Sequence, residues 1–271
     1  FIINSKNYFI WEDEMLSFKS FLVEEPELLL MSAAADRYER DVADYINGLD
    51  GVKASRPAVS TKYSDVVVEY NGKKAWLEVK MNHTDNLGNP RVSYVAGKWQ
   101  AATPLDPVKK FAIEYLSKSS QTKKFLKDMS DFAGIPVNRM ILPSTKGMLS
   151  KPNAVPYDLV AEYFKTRSQY ILDVKNVDLG KLVTEHYLEG KAEPAYYMQA
   201  GDDFYLIGNK NPLGLPRDIP KVKGTGTFRM RIGVRSANSG FYEIQPEIKI
   251  TKMPKSEYSV KPGTKQKNPF E

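Results

Sequence analysis

Apolar residues recur along this chain either every third or fourth position or every second, and the switches between the two periods divide it into elements. Phe9, Trp11, Met15, Leu16, Phe18 and Leu22 predict a helix over 8–23, stopped before Pro26. A second helix is predicted from Leu28 to Gly48, with Ala35, Val42 and Ile46 on one face. The period then shortens, and two apolar runs flank Asn71-Gly72, the strongest short signal for a tight hairpin. A polar, turn-rich stretch from Met81 to Pro90 precedes a strand over Arg91–Val95. Helices follow over Pro107–Lys118 and Gln121–Phe132, then a strand over Asn138–Leu142, a helix over Tyr157–Thr166, a strand over Gln169–Val174 and a helix over Leu179–Leu188. Two hairpins are predicted last, Ala195–Gln199 with Phe204–Gly208 and Gly226–Arg235 with Phe241–Ile250. Strands alternating with helices predict an α/β fold, a mixed central β-sheet flanked by helices, with a β-rich C-terminal part. The expected division is a core over 1–175, including the N-terminal helices, and a β-rich part over 176–271. The tail from Thr251 is expected to be loosely ordered.

The hairpin at Asn71-Gly72 can be registered by counting. With these two residues as the loop, Tyr70 pairs with Lys73, Val68 with Ala75, Val66 with Leu77 and Asp65 with Glu78. Opposed residues of an antiparallel pair point to one face with Cβ atoms about 5 Å apart. Lys80, two positions beyond Glu78, shares that face. A four-residue loop keeps all three together, whereas a three-residue loop sends Asp65 to the other side. Two adjacent carboxylates repel, and a divalent cation with a preference for hard oxygen ligands offsets the repulsion. An adjacent lysine can hold an attacking water or balance developing negative charge. The competing reading is a solvated surface hairpin, but Val66, Val67, Val68, Leu77 and Val79 describe a buried strand pair.

A strand-opening Asp, a hairpin and then Glu-x-Lys resembles the motif of the restriction-endonuclease-like PD-(D/E)xK nucleases. It stands here as Ser64-Asp65 and Glu78-Val79-Lys80, with serine where the motif's name has proline. The likeness covers about 60 residues, from the preceding helix to the strand after Lys80. It implies a restriction-endonuclease-like core and metal-dependent hydrolysis of a phosphodiester, usually in DNA, with Asp65 and Glu78 as metal ligands and Lys80 as the catalytic lysine. The implied ion is Mg2+, with Mn2+ as a substitute, and the implied product carries a 5′-phosphate. The family often adds a glutamate from the helix before the sheet. Glu39 matches that role, lying on the apolar stripe between Ala35 and Ile46; pairing with Arg40 or Lys53 is the alternative. Some members touch substrate from just after the third strand, which makes Lys98 and Gln100 candidates.

Charge extends this picture. The 271 residues carry 39 Lys and Arg against 33 Asp and Glu, a net charge of +6 that suits a polyanion such as DNA. In the last hairpin, Arg229, Arg231 and Arg235 share the face opposite Phe228, Met230, Ile232 and Val234. That ladder can lie along phosphates, or it can form cross-strand salt bridges, Arg235 with Glu243 and Arg231 with Glu247. His83 leaves the hairpin directly and can touch DNA or a metal-bound water. Lys118, Lys123, Lys124 and Lys127 cluster on two helices, where a solvated face is the plainer reading. The absence of cysteine excludes disulfides, thiolate zinc sites and a cysteine nucleophile. Two histidines, His83 and His186, leave little room for a histidine-rich metal site or a serine–histidine–acid triad, and His186 reads as a packing or surface residue. No stretch nears the roughly 20 apolar residues of a membrane span, and the start lacks a signal-peptide layout, so an intracellular protein in a bacterial or phage setting is expected. The functional expectation is a Mg2+-dependent DNA endonuclease. An exonuclease or recombination and repair nuclease with the same core is one alternative, and a non-catalytic nucleic-acid-binding protein is another. A homodimer is left open, as is an unrelated α/β protein in which the motif is accidental.

Overall fold

A computed structural model describes residues 33–57, 64–83, 86–234 and 240–271. The first predicted helix lies outside the described residues. The second is present as α1 over 33–47, and its buried Val42, Ala43 and Ile46 lie on the expected face. In chain order there follow β1 (Val52–Ser55), β2 (Val66–Tyr70), β3 (Lys73–Lys80), β4 (Asn86–Gly88), β5 (Val92–Val95), β6 (Lys98–Ala101), α2 (Pro107–Lys118), α3 (Ser120–Ala133) and β7 (Ile141–Leu142). The remainder comprises α4 (Tyr157–Phe164), β8 (Tyr170–Asp178), α5 (Gly180–Glu189), β9 (Ala195–Ala200), β10 (Asp203–Leu206), β11 (Thr225–Val234) and β12 (Tyr242–Lys252). Local chemistry sets several boundaries. Asp106 caps α2 by accepting from Lys109 N at 2.8 Å, with Pro107 in the first turn, and Gly134 closes α3 in the left-handed conformation.

Three sheets result. The central one has the order β1-β2-β3-β9-β10 and is mixed, because β3 and β9 run parallel while its other neighbours are antiparallel. A four-stranded sheet runs β4-β12-β11-β8, and a three-stranded one runs β6-β5-β7. The expected α/β class and mixed sheet are therefore present, with further antiparallel sheets beside them. The expected boundary near 175 falls within β8, and both larger sheets take strands from either side of it. Among the described residues, no helix is long and apolar enough to cross a membrane.

Strand alternation gives the central sheet two different faces. Val66, Val68, Ala75, Leu77 and Val79 pack in one cluster with Val42 and Ile46 of α1. Met198, Ala200 and Trp76 on the other face belong to the larger core, which includes Leu182, Val183 and Tyr187 of α5. Asp65, Glu78 and Lys80 have the parity of Trp76 and so face α5.

Two expectations change. The tail beyond Thr251 is packed: Tyr258, Val260 and Phe270 are buried, Phe204 N donates to Tyr258 O at 2.8 Å, and Val260 N donates to Gln199 Oε1 at 2.9 Å. It covers backbone groups that an edge strand such as β10 otherwise leaves unpaired. The last hairpin is offset by two residues from the expected register, with Arg229 opposite Glu247, Arg231 opposite Gln245 and Gly233 opposite Glu243. A two-residue step leaves every side chain on its own face, so burial of Phe228, Met230 and Ile232 permits either register.

The hairpin that frames Asp65 and Glu78 forms as counted, with Tyr70 paired to Lys73 and Asn71 and Gly72 at φ 50° and 70°. Gly72→Val forces a β-branched residue into that left-handed conformation, at an expected cost of about 1–2 kcal/mol. Urea unfolding monitored by circular dichroism measures it; an unchanged midpoint contradicts the turn assignment.

Candidate active site

β2 and β3 end side by side beneath α5. Continuing their pairing one step past Val66 and Leu77 puts Asp65 opposite Glu78. The Asp65 carboxylate is fixed by the strand itself, since Oδ2 accepts from Val79 N at 2.8 Å. Lys80 is held from the other side, where Gly201 N donates to its carbonyl oxygen at 2.8 Å. The Lys80 side chain folds back, and its Nζ lies 2.7 Å from Glu78 Oε1. Asp65, Glu78 and Lys80 thus meet on one face of the sheet, as the register arithmetic requires.

Glu78 is only 2% exposed. Burial would push its carboxyl up, but the charges of Lys80 and Lys191 outweigh that and hold it below the usual range. Lys191 Nζ stands 3.7 Å from Glu78 Oε2, which is buried and has no hydrogen-bond partner. Burial would lower the Lys80 ammonium; Glu78 beside it reverses the sign and raises it well above the ordinary value. In this state Lys80 is a cation that can donate hydrogen bonds, not a base. Asp65 is the group left uncompensated: burial, then the Glu78 charge, push it up to about 7 against the opposing pull of Lys80. One Glu78 oxygen is without a hydrogen bond and the Asp65 carboxyl titrates near neutrality, with two ammonium groups, Lys80 and Lys191, beside the two carboxyls. Two hard oxygen donors of this kind suit Mg2+ or Mn2+, which keep waters and take substrate oxygens for the rest of their shell.

α5 delivers the residues that sequence reasoning missed. Lys191 follows its last turn, and the Tyr187 ring centre is 5.8 Å from Lys191 Nζ. His186 packs nearby: burial, then Lys191, push its imidazole down to about 4, so it is neutral, and its Nδ1 is buried with no hydrogen-bond partner. Nothing in Leu188-Glu-Gly-Lys191 signals a site, because proximity to Glu78 arises only when α5 crosses the sheet.

The other candidates are distributed more widely. Glu39, expected as a further metal ligand with pairing to Arg40 or Lys53 as the alternative, is paired with Arg56 at 2.6 Å, a partner shared with Asp36. Its charge reaches Asp65 weakly, and among the described residues no group of three or more Asp, Glu, His or Cys side chains is arranged to hold a metal. His83 borders the same narrow cleft as Lys80, Tyr187 and Met198; its Nε2 lies 2.8 Å from the buried Asp203 and 3.3 Å from the Tyr205 hydroxyl. Lys98 and Gln100 are exposed on β6, in a different sheet from Asp65. Arg229 pairs with Asp173 at 3.0 Å, Arg231 donates to Gln245, and Arg235 lies outside the described residues. Lys118, Lys124 and Lys127 form pairs with acids one turn away, which fits a solvated face. No family model, curated protein or solved structure matches the chain.

The Asp65 shift has a consequence for stability. A carboxyl whose pKa rises from 3.8 to about 7 on folding binds protons more tightly in the folded chain. Its contribution is full below about pH 4 and is lost as pH rises through about 7. His186 has the opposite sign but is common to wild type and an Asp65→Asn variant, so it cancels between them. In chelator-treated protein the Asn variant should gain stability over wild type as pH increases from about 5 to 8. Thermal melts across that range test this, and a constant difference contradicts it.

Proposed function

We propose that this protein is a Mg2+-dependent deoxyribonuclease that hydrolyses phosphodiester bonds within DNA. The observation carrying the reading is the opposed pair Asp65 and Glu78 at the end of the central hairpin, one of them pushed toward neutrality by burial, beside a lysine held as a cation. Asp65 and Glu78 would hold the ion. When bound, such an ion lowers the pKa of a water and polarises the phosphate.

The chain's own groups account for the rest. The Val79 N–H fixes one Asp65 oxygen and so aims the other. Lys80 stays protonated because of Glu78 and can donate to an attacking water or to a phosphate oxygen as negative charge develops there. Attack at phosphorus with departure of the 3′-oxygen leaves a 5′-phosphate. The net positive charge, with Arg229, Arg231, Lys98, Gln100 and His83 as surface candidates, would position the polyanion.

One observation favours a second reading. Glu78 is already flanked by two ammonium groups, as in a structural ion cluster, and a non-catalytic nucleic-acid-binding protein could keep such a cluster for stability alone. Supercoiled plasmid incubated with Mg2+ separates the two. The nuclease reading expects nicked or linear product, lost on chelation, and at least a hundredfold slower cleavage by Asp65→Ala or Glu78→Ala, with DNA binding retained. Full cleavage by either variant overturns the assignment. Conversion of linear but not closed circular DNA indicates an exonuclease with the same core.

If basic side chains track phosphates, DNA affinity should fall linearly with log salt, with a slope of about −0.9 per phosphate neutralised. Fluorescence anisotropy from about 50 to 200 mM salt measures this, and a flat response argues against a nucleic-acid substrate.

A further inference from the structure

The arrangement around Glu78 assigns Lys191 a role of its own: we propose that it is a placeholder cation, occupying the Glu78 Oε2 side of the site until a divalent ion and a polyanion arrive together. The inference rests on the nuclease reading. Its physical basis is the asymmetry between the two lysines. Lys80 is part of β3, its carbonyl is tied to Gly201 N, and its ammonium sits 2.7 Å from Oε1, a full hydrogen-bonded ion pair. Lys191 belongs to no strand or helix and follows the tight end of α5, where Gly190 N bonds to both Glu185 O and His186 O. Its Nζ stands 3.7 Å from Oε2, inside ion-pair range but too far for a hydrogen bond, and Oε2 has no hydrogen bond from any other group. Glu78 is therefore gripped at one oxygen and only shadowed at the other.

A cation entering at Asp65 and Glu78 meets Lys191 as a like charge a few ångströms away. A phosphodiester entering with it offers that ammonium a new anionic partner. Lys191 thus opposes the ion when it comes alone and favours it when DNA is present, which couples the two ligands through one side chain.

The test measures Mn2+ binding by calorimetry on the full chain, with and without a short DNA duplex, in Ca2+-free buffer. Lys191→Met should bind Mn2+ alone at least about fivefold more tightly than wild type, and the gain in Mn2+ affinity that DNA confers on wild type should shrink by a similar factor. Lys191→Arg, which keeps the charge, should behave as wild type. Lys118→Met, which removes an exposed lysine on α2, should leave Mn2+ affinity unchanged and so controls for net charge. Lys191→Gln is the second neutral variant if Lys191→Met does not fold. Wild-type Mn2+ binding with an unaltered or weaker affinity in the neutral variants overturns the placeholder role and leaves the nuclease reading standing. Absence of Mn2+ binding to wild type and to Lys191→Met alike, with and without the duplex, removes the metal site and the inference with it.

Discussion

A carboxylate 2% exposed inside a sheet–helix interface cannot stand alone, because the desolvation of an unpaired charge costs several kcal/mol. Glu78 is in that position, and much of the local architecture answers its charge. Lys80 folds back along its own strand to meet one oxygen, and Lys191 comes from the far end of α5 toward the other. Asp65 shares the environment without sharing the compensation, so burial and its neighbour push it toward neutrality. Two ammonium groups thus face two carboxyls, and Asp65 is the one that burial holds near neutrality.

The topology makes the arrangement possible. A two-residue turn holds β2 and β3 in a register that places both acids on one face. β9 then joins β3 in parallel, which requires a crossover, and the crossover passes through the smaller sheets and ends in α5. That helix lies over the polar end of the hairpin and supplies Tyr187, His186 and Lys191. α1 covers the opposite, largely apolar face. Arg229 and Arg231 of β11 and Lys98 and Gln100 of β6 sit on other sheets.

Legibility followed the range of the interaction. The hairpin could be read because Asn71-Gly72 admits few backbone conformations and side-chain parity is a matter of counting. The α2 limits could be read because Asp106 and Pro107 act locally. In the last hairpin parity was legible but register was not: Phe228, Met230 and Ile232 reach the core in either of two registers a pair of residues apart, and the paired strand β8 with its Asp173 lies far away in sequence. The tail looked loose because lysines and prolines dominate it, yet Tyr258, Val260 and Phe270 suffice to seat it against β10.

The amino-acid order by itself determined the class of fold, through the alternation of periods along the chain, and the tight turn and the meeting of Asp65, Glu78 and Lys80, which depend on residues within about one hairpin of one another. Tertiary structure alone decided which charges Glu78 meets, that Glu39 is held by Arg56 and that Lys191 stands beside Glu78. Those outcomes depend on burial and on distances between segments far apart in the chain, and electrostatic energy inside a protein is a function of position, not of sequence separation.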